Sequence, residues 1–284
     1  MHHNSATIND CGFVYVATGE GYVREALVAI SSLRQHHPSS KVCLVTDKQP
    51  KDSSLFDDVI VVDPENVLFS PVDKLLATLC PYKKAIFLDT DTFVVDNLEE
   101  LFRILDCFEI ALLPETKRGW DYDMPDVPTP FAEFNTGVIV FRNDERIKMF
   151  FDRWRDAYME LKESQGLIND QASFRRVLFN SDIRVAPLPS EYHFLGNTEN
   201  YIMWKAKIIH ARGNLSVIES QVNKYLGCRV YIPDVGKLQG FQGKSVWFKR
   251  LINFFFRGIR LLFVKPTDSA GMNPGKWWLK EKRS

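Results

Sequence analysis

Over its first 110 residues the chain alternates between two hydrophobic periods. Phe13 to Ala17 (FVYVA) is a short apolar run that ends in Thr-Gly-Glu-Gly, the pattern of a strand running into a turn. From Tyr22 to His36 the period lengthens. Val23, Ala26, Leu27, Ile30 and Leu33 recur at helical spacing until Pro38 stops them. Lys41–Thr46 and Val59–Val62 then read as strands, Asp73–Leu79 as a helix, and Lys84–Leu88 as a buried strand that delivers Asp89 at its end. Further strands are expected at Gly137–Phe141 and Lys207–His210. Helices are expected at Asn97–Leu105, Asp144–Leu161 and Asp170–Leu178. Strands alternating with helices predict an α/β fold built on an open, mostly parallel sheet. Such sheets bind ligands beyond the carboxyl ends of their strands. Gly19-Glu20-Gly21 and Asp89-Thr90-Asp91 both fall on that edge.

Past Val235 the glycines cluster and the character turns basic and aromatic. The expected division is a polar lead over 1–11, a catalytic-type domain over 12–240 and an extension over 241–284. The whole chain has 284 residues, is 45% hydrophobic and balances 36 basic against 36 acidic side chains. A net charge of zero argues against a nucleic-acid partner. The balance is uneven, because the extension carries ten Lys and Arg against only Asp268 and Glu281. A helix over 245–264 would gather Lys249, Arg250, Asn253, Arg257 and Arg260 on one face, with aromatic and aliphatic residues covering the rest. It suits either the surface of an anionic bilayer or docking on the acidic body, and its charges argue against a membrane span. The five cysteines are scattered without a CxxC, and the first residues hold no apolar signal core. The expectation is therefore a reduced, cytoplasmic protein, peripheral on the inner membrane face if the basic helix binds lipid. Asn214-Leu215-Ser216 then reads as a chance glycosylation acceptor.

Asp89 and Asp91, at i and i+2 past a strand end, can turn both carboxylates toward one hard divalent cation. The plain alternative is two solvated aspartates in a loop. Asp89-Thr90-Asp91-Thr92 also matches the DxDxT loop of haloacid-dehalogenase-like phosphatases. That loop, however, follows the first strand of its fold, whereas this one follows three earlier strand candidates, and no acidic pair downstream completes such a site.

Five separated stretches resemble the glycogenin-like retaining glycosyltransferases, family 8 and its relatives, which have the GT-A fold. They are residues 16–38, with the opening strand, turn and helix; residues 73–102, with a lysine-bearing helix, the DxD loop and an acidic helix ending in Leu-Phe; Phe134-Asn135-Thr136-Gly137-Val138; Asn169-Asp170-Gln171; and Ile208-Ile209-His210 followed by Gly213. The resemblance covers about residues 12 to 226. It implies transfer of a sugar from a nucleotide diphosphate, UDP by analogy, to a glycan or lipid-linked acceptor. Asp89, Asp91 and His210 would hold the metal, manganese rather than magnesium because imidazole suits the softer ion. Thr18, Tyr22, Lys74, Thr90, Asn135, Thr136, Arg212 and Gly213 would serve the donor, with Asp170 and Gln171 near its anomeric carbon. Several have a plainer reading. Lys74 could be a surface lysine, His210 a core histidine, Tyr22 a packing aromatic, and Asp170 the cap of the following helix. The family's lysine after HxxG is replaced by Ser216, a departure for which Arg212 could compensate. That departure also motivates a second reading, a non-catalytic sugar-nucleotide or glycan-binding protein with the same fold.

Overall fold

The computed structural model describes residues 10–115, 122–213, 215–224, 226–233, 236–239 and 255. The polar lead up to residue 9, Asn214, and the basic stretch 245–264 apart from Phe255 lie outside the described residues. The core of the fold is a seven-stranded sheet. It comprises β1 (Cys11–Ala17), β2 (Lys41–Thr46), β3 (Asp58–Val61), β4 (Lys84–Leu88), β6 (Ile110–Pro114), β7 (Phe134–Arg142) and β8 (Val185–Pro187), in the order β3-β2-β1-β4-β7-β6-β8. All neighbours pair in parallel except β7, which runs antiparallel to both β4 and β6. The reversal matters for the site. It brings the start of β7, Phe134 to Thr136, to the edge where β1 and β4 end.

The sheet is buried on both faces, which is why its strands are continuous apolar runs rather than alternating ones. The pleat still divides them. Phe13, Tyr15, Ala17, Leu44, Ile86 and Leu88 face one apolar layer, beneath α1 (Glu20–His36) and α2 (Glu100–Ile104). Val14, Cys43, Val45, Phe87, Ile139 and Phe141 face the other, beneath α3 (Glu145–Gln165) and α4 (Gln171–Phe179). The side chain of Asp144 caps α3 by accepting from the Ile147 N–H at 3.0 Å. Trp154 is completely buried between α3 and α4. It meets the Phe151 and Phe174 rings edge-on, and its indole N–H donates to the Asp170 carbonyl and to Ser173 Oγ, both at 3.1 Å.

Two small sheets lie beyond the main one. In the first, β11 (Ile208–His210) runs between β5 (Thr92–Val94) and β9 (Phe194–Leu195). In the second, β12 (Arg229–Ile232) runs between β10 (Asn200–Ile202) and β13 (Gly236–Gln239), with α5 (Leu215–Asn223) beside them. Among the described residues no helix is long and apolar enough to cross a membrane.

The expected elements are present with local differences. Pro71–Leu79 is a 3-10 helix rather than an α-helix. Asp73 accepts the Ser70 N–H at 3.2 Å and the Leu68 N–H at 2.9 Å, which ties the entry to its first turn. The acidic helix expected over Asn97–Leu105 shortens to five residues, because the Asn97 side chain takes the Glu99 N–H and forms a turn instead. Strands β5, β6, β8, β9, β10, β12 and β13 were not expected. All are five residues or shorter, so periodicity has too few positions to show.

Replacing Trp154 with Ala removes the ring that wedges α4 against α3. Urea unfolding should show a loss of about 3–5 kcal/mol, the largest expected for any single truncation in this layer.

Candidate active site

The chain reaches the site through two turns. At Gly19 it leaves β1 with φ 97°, a backbone conformation that side chains rarely adopt, and the Gly19 N–H donates to Asp47 Oδ1 at 2.7 Å. At the end of β4, Asp89 to Thr92 form a tight turn into β5. Both the Thr92 N–H (3.1 Å) and its hydroxyl (2.7 Å) donate to the Asp89 carbonyl. The turn throws Asp89 and Asp91 to the same side. Antiparallel pairing of β5 with β11 sets His210 opposite Thr92, and the Ala211 N–H donates to the Asp91 carbonyl. One ligand atom from each of Asp89, Asp91 and His210 therefore lies within 4.8 Å of the others. Two carboxylates and one imidazole form a hard, mainly oxygen donor set, which fits a divalent cation.

The three residues line a cavity of about 510 Å³ beyond the strand ends. Every residue expected from sequence to serve donor, metal or catalysis also lines it, except Gly213. Gly213 sits outside the cavity wall at φ 112°, between His210 and α5. Tyr22 is half-exposed on the wall, and Phe69 projects from it 62% exposed with φ 47°. That angle is costly for an aromatic residue and is held by the Asp73 contacts on either side.

Lys74 is not a surface lysine. It is buried, with Nζ 3.3 Å from Asp89 Oδ2, 3.6 Å from Asp170 Oδ2 and 3.3 Å from both the carbonyl and the hydroxyl of Thr136. Burial disfavours its charge, but Asp170 and Asp89 outweigh this and raise its pKa above the ordinary lysine value. Asp89 is pushed the other way for a carboxylate. Burial raises its pKa in spite of Lys74 and His210, and the neighbouring Asp91 and Asp170 add to the rise. Burial also works against ionised Asp91, but its hydrogen bond to His210 and the charge of Arg212 hold its carboxyl well below the ordinary carboxylate range. Arg212 Nε lies 3.1 Å from Asp91 Oδ2, and its Nη1 lies 3.7 Å from Glu25. Asp89, Asp91, Asp170, Glu115 and Glu133 face Lys74 and Arg212 around one cavity. Carboxylates outnumber cations there, which favours binding a further positive charge.

The hydroxyls and amides have definite partners. Asp170 stands at the N-cap position of α4 but makes no capping bond. Its carboxylate instead accepts from Thr136 Oγ1 at 2.7 Å inside the site. Thr18 donates to Asp73 at 2.9 Å and Thr90 to Glu25 at 2.9 Å, so both hydroxyls are engaged within the protein. Glu115 accepts from the amides of Asn135 (2.6 Å) and Gln171 (3.2 Å), and the Asn135 carbonyl oxygen takes the Gly137 N–H at 2.9 Å. Asp73, Glu115, Glu25 and His193 were not singled out from sequence. For Asp73 a signal existed in the spacing Ser70-Pro-Val-Asp73, that of a capping box. For the others the partners are distant in sequence, and no local pattern marks them.

Comparison with known proteins agrees with this geometry. The sequence model of Glycosyl transferase family 8 matches residues 74–218, half of the chain, and spans Lys74, the Asp89–Asp91 turn, Asp170 and His210. The chain belongs to glycosyl transferase family 8. Human glycogenin-2 is 30% identical over 251 residues, which cover 78% of this chain and 46% of that protein. Mouse glycogenin-1 is 32% identical over 157 residues, 48% of this chain and 42% of its own length. The chain thus spans less than half of these curated relatives. The solved galactosyltransferase LgtC, in complex with donor and acceptor sugar analogues, aligns with a TM-score of 0.54 at 15% identity over 71% of this chain and 87% of its own. The bifunctional glycosyltransferase WbbM aligns with a TM-score of 0.51 at 18% identity, over 72% and 46% respectively. The fold of this family 8 member is GT-A.

Lys74→Met would leave Asp89 and Asp170 facing each other without a counter-charge. Stability in metal-free buffer should fall by about 3–5 kcal/mol. Adding Asp170→Asn should recover part of the loss, as read by urea unfolding of the single and double variants.

Proposed function

We propose that the protein transfers a sugar from a nucleotide-diphosphate donor to a hydroxyl of a glycan or lipid-linked acceptor, with divalent-metal dependence and retention at the anomeric carbon. The observation that carries this reading is the convergence of Asp89, Asp91 and His210 on the floor of a cavity at the strand ends, in a member of family 8. A cation held by these three residues would supply positive charge where the departing diphosphate becomes negative. The imidazole in the set favours Mn²⁺ over Mg²⁺. UDP is the nucleotide by resemblance.

In the reaction the bond between the anomeric carbon and the diphosphate oxygen breaks, and its electron pair stays with the diphosphate. The acceptor oxygen bonds to the same carbon and gives up its proton. Inversion would require a free carboxylate to take that proton. Asp170 is engaged by Thr136 and Lys74, and Glu115 by two amides. The family resemblance supports the front-face route, in which a leaving diphosphate oxygen takes the proton. The residues then align and stabilise rather than act as a strong base. Glu115 accepts from the amide nitrogen of Gln171, which leaves that amide's oxygen available to a donor sugar. Arg212, exposed beside Asp91, stands where a guanidinium can leave Glu25 and pair with phosphate oxygens.

That role answers the departure at Ser216, which lies on α5. The second reading, a binder without transfer, rests on the same departure. LgtC is a galactosyltransferase by its description, and a hexose donor is the corresponding proposal here. The five scattered cysteines, none in a CxxC, suit a reducing compartment such as the cytoplasm. The basic stretch 245–264 would rest on an anionic bilayer, where a lipid-linked acceptor would be presented.

A panel of UDP-, GDP-, CMP- and dTDP-sugars should include one that raises the melting temperature by roughly 5–10 °C at saturation. The shift should require Mn²⁺ and vanish in Asp91→Ala. Slow Mn²⁺-dependent hydrolysis of that donor marks an enzyme, and a stabilising donor that is never hydrolysed marks a binder. A panel without any shift overturns both readings.

A further inference from the structure

His193 is completely buried, and its Nε2 lies 2.8 Å from Nδ1 of His210. The other ring nitrogen, Nδ1 of His193, is buried without a hydrogen-bond partner among the described residues. On the far side of the pair, His210 Nε2 lies 3.1 Å from Asp91 Oδ1. The rings cannot easily part. His193 immediately precedes β9, which pairs in parallel with β11, and a Cβ at position 137 would stand only 2.3 Å from Cε1 and 2.6 Å from Nδ1 of His210. The glycine at 137 is what lets the His210 ring lie against β7. A ring so enclosed can present only Nε2 to the cavity.

These contacts restrict where the protons sit. Complete burial disfavours the charged imidazolium, so His193 is neutral. A neutral imidazole has one N–H and one lone pair. A buried N–H without a partner costs more than an under-used lone pair. Without a cation, His193 therefore carries its proton on Nε2 and donates it to His210 Nδ1. His210 then carries its own proton on Nε2, facing Asp91. A cation on His210 Nε2 requires the lone pair at that atom. The proton of His210 must then sit on Nδ1, where it can only be donated to His193 Nε2, and the proton of His193 must sit on Nδ1.

We propose that His193 is a positioning residue for the cation site: the two histidines share one hydrogen bond whose donor and acceptor exchange when an ion is taken up, each ring moving its proton from Nε2 to Nδ1. The proton of the shared bond passes from His193 Nε2 to His210 Nδ1, the proton of His210 Nε2 leaves to solvent and His193 Nδ1 takes one from solvent, so none is gained or lost overall. The shared bond fixes the tautomer and the aim of the ligand in the ion-bound state, the role that a carboxylate or carbonyl fills behind most metal-binding histidines. The unpartnered N–H it leaves on His193 weakens the site, so that ion loading is readily reversible. This proposal rests on the Asp89–Asp91–His210 site being a cation site.

The test is ¹H–¹⁵N multiple-bond correlation on ¹⁵N-histidine protein at about pH 8, above the ordinary histidine value of ~6.5, without ion and with Zn²⁺. Zn²⁺ is diamagnetic and accepts imidazole and carboxylate ligands. His193 and His210 should both show the Nε2–H pattern without ion and both show Nδ1–H with it. If His210 changes and His193 does not, the coupled exchange is overturned while the cation site stands. If His210 itself is unmoved by Zn²⁺, the cation site fails and the proposal with it. Mn²⁺ titration followed by electron paramagnetic resonance gives an independent reading. His193→Phe should weaken binding about 10- to 100-fold, and His193→Gln, whose amide oxygen can accept from His210, should recover most of it. Equal affinity in wild type and His193→Phe would overturn the positioning role.

Discussion

The site is organised around one buried ammonium group. Lys74 rises from the 3-10 helix over Pro71–Leu79 and meets Asp89 from the end of β4, Thr136 from β7 and Asp170 from the start of α4. Its charge also lies 5.8 Å from the centre of the Phe87 ring. Four elements that are remote in sequence are thus fastened at one point. Removing a charge from water is expensive unless it is paired and hydrogen-bonded, and here the pairing spans separate elements. The arrangement forms only when all of them are in place, so it ties assembly of the site to completion of the fold.

The same knot explains how acidic groups can crowd one cavity. Lys74 compensates Asp89 and Asp170, and Arg212 compensates Asp91 from the solvent side. The compensation is incomplete, because Asp89, Asp91, Asp170, Glu115 and Glu133 share the cavity with only Lys74 and Arg212. Incomplete compensation suits the cation site proposed for Asp89, Asp91 and His210. A fully neutralised site would not attract one, and an unopposed cluster of carboxylates would strain the fold.

The reversed strand β7 adds the geometric half of the design. In a wholly parallel sheet only strand ends would reach the ligand edge. Because β7 runs backwards, its first residues are presented there, and Thr136 and Gly137 stand against Asp89 and His210. Gly137 lets histidine and backbone approach to a distance no side chain would allow. Phe69, on the same rim, holds a backbone angle uncommon for an aromatic residue.

What the sequence by itself determined is local. Apolar runs identify β1, β2, β4 and the centre of β7 because a strand buried on both faces must be continuously apolar. The spacing of Asp89 and Asp91 sets two carboxylates about one turn, and helical periods mark α1, α3 and α4. The five family stretches could be read in order because each is itself a local pattern. What only the tertiary structure decided is which way each polar side chain turns. Thr18 bonds to Asp73 across 55 positions, Thr90 to Glu25 across 65, and Thr136 to Asp170 across 34. Periodicity alone does not show that the Asp170 carboxylate turns into the cavity rather than capping the helix it begins, or that Lys74 is buried. Nor does any local pattern show that His193 stands behind His210. A hydrogen bond needs its partner within about 3 Å, and only folding brings such partners together.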